Sequence, residues 1–301
     1  MYTENTNKAR AAFAKFKSFI IYRFVFINGI LSIIILGLIM ALLLYNSLKF
    51  FINYSPIDFF GGLRWAPTHG TGKFGFVPLL VGSMLTTFTA IIIAIPLGIG
   101  SAIFIGELAP RFVREILKPI IEILATIPSV VIGFIGLKIV APLIKNIFNL
   151  SIGQTALTGA VMLAFMSLPT IISISEDAIN AVPNKFRHAS MALGATKWET
   201  TYKVVVPTAS SGMVAAVMLG LGRIVGETMT VLMLTGNSPR IVFSILQPVR
   251  TITATIAAEM GETAQGGLHY SALFAIGLVL FLITFLINFI GENFTRRIKN
   301  M

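Results

Sequence analysis

Six stretches of about 20 mostly apolar residues, the length a helix needs to cross the hydrocarbon core, dominate this sequence. They run from about 24 to 48, 79 to 105, 119 to 140, 155 to 175, 212 to 235 and 271 to 291. Backbone groups in hydrocarbon have no water to bond, so apolar runs of this length fold as helices. The chain is therefore read as an all-α membrane protein with six transmembrane helices. Only 12% of the residues are charged, about half of the roughly 25% that keeps a soluble domain in water.

The runs divide the chain into a basic segment over 1–23, a first helix over 24–48, an outer loop over 49–78, a core of five helices over 79–292 and a tail over 293–301. The first run is about 25 residues, longer than the roughly 7–15 of a signal-peptide core, so it is expected to remain as an anchor. Pro96, Pro128 and Pro169 fall inside three of the runs. A proline frees a carbonyl, which hydrocarbon tolerates only against a packed interior or a water-filled path.

The net charge of +11 is an orientation signal. With the N-terminus in the cytoplasm, fifteen of the 23 Lys and Arg fall in inner segments, among them Lys8, Arg10, Lys15, Lys17, Arg23, Arg296, Arg297 and Lys299. Seven fall outside, and Arg223 is left within a run. The excess of positive charge inside puts both termini in the cytoplasm.

Other chemistries find little support. Cysteine is absent, and His69, His188 and His269 are too far apart in sequence for a metal-ligand motif. The glycine-rich stretch Gly70-Thr71-Gly72-Lys73-Phe74 has Pro67 where a phosphate-binding loop needs its first glycine and Phe74 where it needs Ser or Thr. Any ATP used must be bound by another subunit.

Between the fourth and fifth runs, residues 176–212 read as two short helices meeting at a turn. Pro183 suits a helix start, and Phe186, Ala189, Ser190 and Leu193 recur at helical spacing as one apolar face. Gly194 suits a left-handed terminator, and Thr196 to Glu199 has capping-box spacing, so a second helix starts at once and is expected to end before Pro207. Such a hairpin is a bundle brace or a docking site for a cytoplasmic partner. DNA is disfavoured, because the module is tethered by membrane helices at both ends.

Arg223 and Glu227 lie four residues apart, hence on one face of a continuous fifth helix. A central charge costs about 2.5–3.5 kcal/mol on insertion scales, so the pair must face protein or water. Either it locks the fifth helix against its neighbours, or Arg223 offers its fork to a passing oxyanion while Glu227 neutralises it when the path is empty. Thr228 and Ser129 are candidate further donors, and Gly220, Gly222 and Gly226 leave room for a close approach. Glu122 is expected at the interface, Glu259 and Glu262 to be solvated or helix-terminal, and Tyr54, Trp65 and the phenylalanines of 49–78 to form an interfacial belt and docking surface.

Ala189, Gly194 and Val204-Val205-Val206-Pro207 keep the spacing of the signature loop of ABC-importer permeases, with His188 where that loop has Glu. Pro96-Leu97-Gly98-Ile99-Gly100-Ser101-Ala102, Pro128-Ser129-Val130-Val131-Ile132-Gly133, Gly222 to Met229 and Leu268 to Phe274 resemble the permease of phosphate-specific importers. Ala257-Ala258-Glu259-Met260-Gly261-Glu262 resembles its C-type subunit. The resemblance implies the type I ABC importer permease fold in a bacterial cytoplasmic (inner) membrane, with residues 186–199 as a coupling-helix hairpin. It also implies an A-type permease subunit, two ATP-binding subunits and an extracytoplasmic phosphate-binding protein as partners, with no cofactor and no covalent chemistry. A permease for another oxyanion, an ion-coupled secondary carrier and a non-transporting scaffold are the alternatives.

Overall fold

The computed structural model describes residues 2–68 and 72–299, with side-chain surroundings for 19, 21–68, 72–293 and 295. Gly70 and Thr71 of the glycine-rich stretch, and the side chains of Lys8, Arg10, Lys15, Lys17, Arg296, Arg297 and Lys299, lie outside these. Within the described residues, six helical stretches are long and apolar enough to span a membrane.

The first helix, α1 (Tyr2–Asn53), begins within the basic segment and continues five residues past the expected end at 48. It is exposed from 21 to 39 and meets the rest of the chain late, where Ser47 and Phe50 are buried. A short helix α2 (Pro56–Gly61) and a two-stranded antiparallel pair, β1 (Trp65–Ala66) and β2 (Lys73–Phe74), fold over this end, with Trp65 opposite Phe74. Phe50, Phe59, Trp65, Phe74 and Phe76 are buried together, with Phe50 to Phe59 ring centroids 5.4 Å apart. Most of the expected interfacial belt is thus a core; Ile52, Ile57 and Phe60 stay exposed.

Helix α3 (Val77–Ile103) continues through Pro96 and closes on a wide π-helical turn, Phe104–Leu108, in which Ala109 N–H bonds Phe104 O at 2.7 Å. The third span departs from the expected 119–140. An amphipathic helix α4 (Arg111–Thr126) ends before Pro128, which then caps α5 (Ser129–Ile135); a π turn, Gly136–Val140, joins this to α6 (Ala141–Ile147). The residue before a proline is disfavoured in the helical region, and Ile127 leaves it at ψ 126°, so the apolar run is cut in two. The span becomes Ser129–Ile147, and Glu122 falls, exposed, on the separate amphipathic helix.

Helix α7 (Ala156–Asn180), capped by the Thr155 hydroxyl, is the most buried of the six spans and packs against α3. After the hairpin helices α8 (Asn184–Ala192) and α9 (Lys197–Thr200), a π turn over Thr201–Val205 leads into α10 (Val206–Gly226). The second hairpin helix therefore does not end before Pro207. Pro207 stands directly after the wide turn, where the helical hydrogen-bond register already changes, and the rod stays continuous through it.

The remaining helices are α11 (Met229–Leu234), α12 (Ile252–Glu259) and α13 (Leu268–Lys299). The core is pinned where α3, α7 and α10 cross. Ile171 is 1% exposed, and a Cβ on Gly98 or on Gly220 would lie 2.6 or 2.5 Å from its side chain. Glycine is needed at both positions because Ile171 occupies the volume that any other side chain would take.

The end of the bundle that carries β1 and β2 is tied by Glu259, the last residue of α12. Its carboxylate accepts the Trp65 indole N–H at 3.1 Å, pairs with Arg250 Nη1 at 2.9 Å and lies 2.8 Å from His269 Nε2. It is helix-terminal, as expected, but its side chain is only 12% exposed rather than solvated; Glu262 is exposed. A carboxylate with three partners satisfies itself without water, whereas removing its charge strands a buried arginine. Glu259→Gln should cost about 3–5 kcal/mol, seen as a lower thermal unfolding midpoint in detergent. Glu262→Gln should change it by less than about 0.5 kcal/mol.

Candidate functional site

Two regions gather the functional candidates: a helix break inside the bundle and the hairpin between α7 and α10. The break comes from Glu227. Helix α10 stops at Gly226, and Glu227 leaves the helical region at ψ 134°. Restarting a helix exposes N–H groups that hydrocarbon cannot satisfy. The Glu227 carboxylate takes two of them, accepting from Met229 N–H at 3.1 Å and Thr230 N–H at 3.2 Å. Its carbonyl accepts the Thr253 hydroxyl at 2.8 Å, which ties the break to α12.

The expected ion pair is therefore not formed. Arg223 and Glu227 share a helix face only if the helix runs through both, and it ends between them. Arg223 instead donates from Nη1 to Thr170 Oγ1 on α7 at 3.1 Å and, among the described residues, has no ion-pair partner. It is half-buried on the last turn of α10. A Cβ placed on Gly222 or Gly226 would meet nothing within 4 Å, so this surface is open, in contrast to Gly220 on the core side.

Ser129 is drawn to the break through Thr230, whose buried hydroxyl donates to the Ser129 carbonyl at 3.2 Å. It contributes through its backbone there, at the head of α5. Thr228 is half-buried, and its hydroxyl donates to Gly226 O at 3.3 Å. Thr170, Thr230 and Thr253 are the residues that sequence reasoning missed. Nothing in their sequence spacing marks them out from the other hydroxyls nearby, and only the fold shows that Thr230 and Thr253 bond at the break and Thr170 holds Arg223.

In the hairpin, α8 ends at Ala192, and Gly194 just beyond its cap turns the chain at a φ of +87°, which suits glycine. The capping box forms as its spacing requires: Thr196 Oγ1 accepts Glu199 N–H at 3.2 Å, and Glu199 Oε2 accepts Thr196 N–H at 3.0 Å. These bonds hold the Glu199 carboxyl below the usual carboxylate range. The cap is therefore complete at neutral pH and is lost only as pH falls through that lowered value. Leu193 is 90% exposed and Trp198 59%, with Phe186, Met191 and Tyr202 also exposed. His188 and Ala189 are exposed too, whereas Ser190 turns inward to Thr200, hydroxyl to hydroxyl at 2.9 Å. The expected apolar face is thus an open patch, with Ser190 as an internal brace. Pro207 lies beyond it, exposed, on the first turn of α10.

Arg187, on the same helix, was legible only as one more inner charge. Its side chain is 15% exposed and reaches Glu107 with Nε at 3.0 Å from Oε1, and Ile179 O with Nη2 at 2.9 Å. Among the described residues no cluster of His, Asp and Glu fits a metal ion.

Comparison with known proteins places this geometry. A family model described as binding-protein-dependent transport system inner membrane component matches residues 94–300. A probable ABC transporter permease protein, YqgH, of Bacillus subtilis is 40% identical over 260 residues, covering 85% of this chain and 84% of the relative. The phosphate transport system permease protein PstC of Mesorhizobium japonicum is 38% identical over 289 residues, covering 90% and 87%. That of Pasteurella multocida is 34% identical over 290 residues, covering 90% and 89%. Among solved structures, a chain of a bacterial alginate ABC transporter superposes with TM-score 0.61 at 15% identity, covering 85% of this chain and 88% of that one. A chain of the MetNI methionine ABC transporter, facing inward, gives 0.56 at 22%, covering 74% and 97%. These structures share the type I ABC importer permease fold with the chain. It belongs to the family of binding-protein-dependent transport system inner membrane components, as a multi-pass membrane protein.

Proposed function

We propose that the chain is the C-type permease subunit of an ATP-driven phosphate importer, forming half of the path and passing to it the work of ATP hydrolysed elsewhere. The observation that carries this reading is Arg223: a half-buried guanidinium, inside a membrane span, with no carboxylate partner among the described residues and an open glycine-lined surface beside it. Such a cation is stable only if water, a neighbouring subunit or an anion completes its surroundings. A guanidinium fork suits a tetrahedral oxyanion. Thr170 holds one arm of the fork, and the path's other wall belongs to an A-type partner. Because conduction needs release as well as capture, a single arginine held by one neutral hydroxyl is a suitably weak site. The relatives named for phosphate transport support the choice of anion.

The exposed patch of Phe186, Met191, Leu193 and Trp198 is the docking surface for one of two ATP-binding subunits. Both termini and the hairpin then face the cytoplasm, and the outer face receives phosphate from an extracytoplasmic binding protein. An ion-coupled carrier loses its main support, since the buried pair that favoured it does not form. A scaffold leaves Arg223 unexplained.

Arg223→Gln should reduce phosphate uptake by more than about 100-fold in vesicles while the complex with its ATPase still purifies. Failure of that complex to assemble would make Arg223 structural instead. Leu193→Asp places a charge at the centre of the docking patch and should weaken ATPase association at least about tenfold in a pull-down, on the scale of a buried unpaired charge at an interface. A panel of phosphate, arsenate and sulfate on the reconstituted complex decides the substrate: phosphate should stimulate ATP turnover most. Stimulation by another anion and not by phosphate would overturn the assignment.

A further inference from the structure

We infer that Arg187 and Glu107 form the rigid strut that carries movement of the hairpin into the membrane core. The inference rests on the reading of the hairpin as the ATPase docking site. Three observations support it.

First, the pair is placed between moving parts. Arg187 is on α8, inside the hairpin, and Glu107 is in the π turn that closes the second span. They are 80 residues apart in sequence. Second, the contact is directional and screened from water. The side chains are 15% and 9% exposed, beside Ile105, Ile179 and Val182, which are nearly fully buried. Arg187 also donates to the carbonyls of Ile179 and Val182 at the inner end of α7 and to Asn184 Oδ1 at 3.3 Å. One planar guanidinium thus holds the hairpin, the second span and the fourth span in fixed relation. A single point contact would let them pivot; a fork with several acceptors does not.

Third, the far side of the strut leads to the site. Arg114 of α4 donates from Nε to Ile105 O at 2.8 Å and also bonds Gly106 O, so the same π turn is gripped from its other side. A shift of that turn moves α3 as a body. Gly98 of α3 bears on Ile171, and the next residue back, Thr170, holds Arg223. Displacing α3 therefore strains the one hydrogen bond that holds the cation. Arg187 is a positioning residue by this argument; it touches neither phosphate nor the ATPase.

The test uses the complete complex reconstituted in vesicles, with phosphate transported per ATP hydrolysed as the readout. Glu107→Gln keeps a hydrogen-bonding group in place but leaves Arg187 without its charge partner, and Arg187→Gln removes the fork, so both should lower the thermal midpoint as Glu259→Gln does. Arg187→Lys keeps the charge and gives up the fork. In complexes that purify folded with the ATPase bound, Glu107→Gln and Arg187→Gln should still hydrolyse ATP but lower the transport ratio at least tenfold, with Arg187→Lys intermediate. A purely structural pair would lower the thermal midpoint, uptake and hydrolysis together with no change in the ratio. An unchanged ratio in folded Glu107→Gln or folded Arg187→Lys overturns the strut even if Arg187→Gln fails to fold. If a complex carrying only Leu193→Asp holds its ATPase as well as the wild type, the docking reading fails instead, and the two failures are separable.

Discussion

Backbone that lies in hydrocarbon has to satisfy its own N–H and C=O groups, and the shape of this molecule follows from how it meets that demand. Continuous helix meets it without help. Each interruption needs a substitute, and the substitutes are the polar residues of interest. At the start of α7 the Thr155 hydroxyl supplies it, and at the head of α11 the Glu227 carboxylate does. The break beside Arg223 therefore exists because a carboxylate is present to support it. One oxygen of Glu227 is given to backbone, and the turn of the chain at Glu227 takes its carboxylate off the face that Arg223 occupies.

Much of this was legible in the sequence where one local rule decides. Six apolar runs gave six spans, and the Thr196 to Glu199 spacing gave the capping box with both of its bonds. The failures occurred where two local rules competed. Hydropathy took 119–140 as one span, but Ile127 before Pro128 leaves the helical region, and the amphipathic character of 111–126 was the neglected signal. Four-residue spacing placed Arg223 and Glu227 on one face, but spacing cannot reveal that a helix stops between them. Pro207 erred the other way, since a proline in the first turn of a helix is tolerated. Glu259 and Arg187 were illegible for another reason: their partners, Trp65 and Glu107, are remote in sequence.

The two ends of the bundle are built from different chemistry. The end that carries β1 and β2 closes on a carboxylate: Glu259 collects an indole, a guanidinium and an imidazole from a strand, a loop and a helix, beside a cluster of phenylalanines. The end that carries the hairpin closes on guanidinium groups, with Arg187 and Arg114 gathering acceptors from helix ends. Carbonyls at the C-terminal ends of α3 and α7 carry the negative pole of their helices, so arginine is the complementary residue there.

The wide turns at Phe104–Leu108, Gly136–Val140 and Thr201–Val205 each hold one residue more than an ordinary helical turn. One extra residue shifts the sequence phase of everything beyond it by about 100° about the helix axis. A π turn is thus a phase shifter. At Thr201–Val205 it sets which residues of the hairpin share an azimuth with the glycines and the arginine of α10, so the apolar patch and the open glycine surface are aimed separately although they belong to one rod.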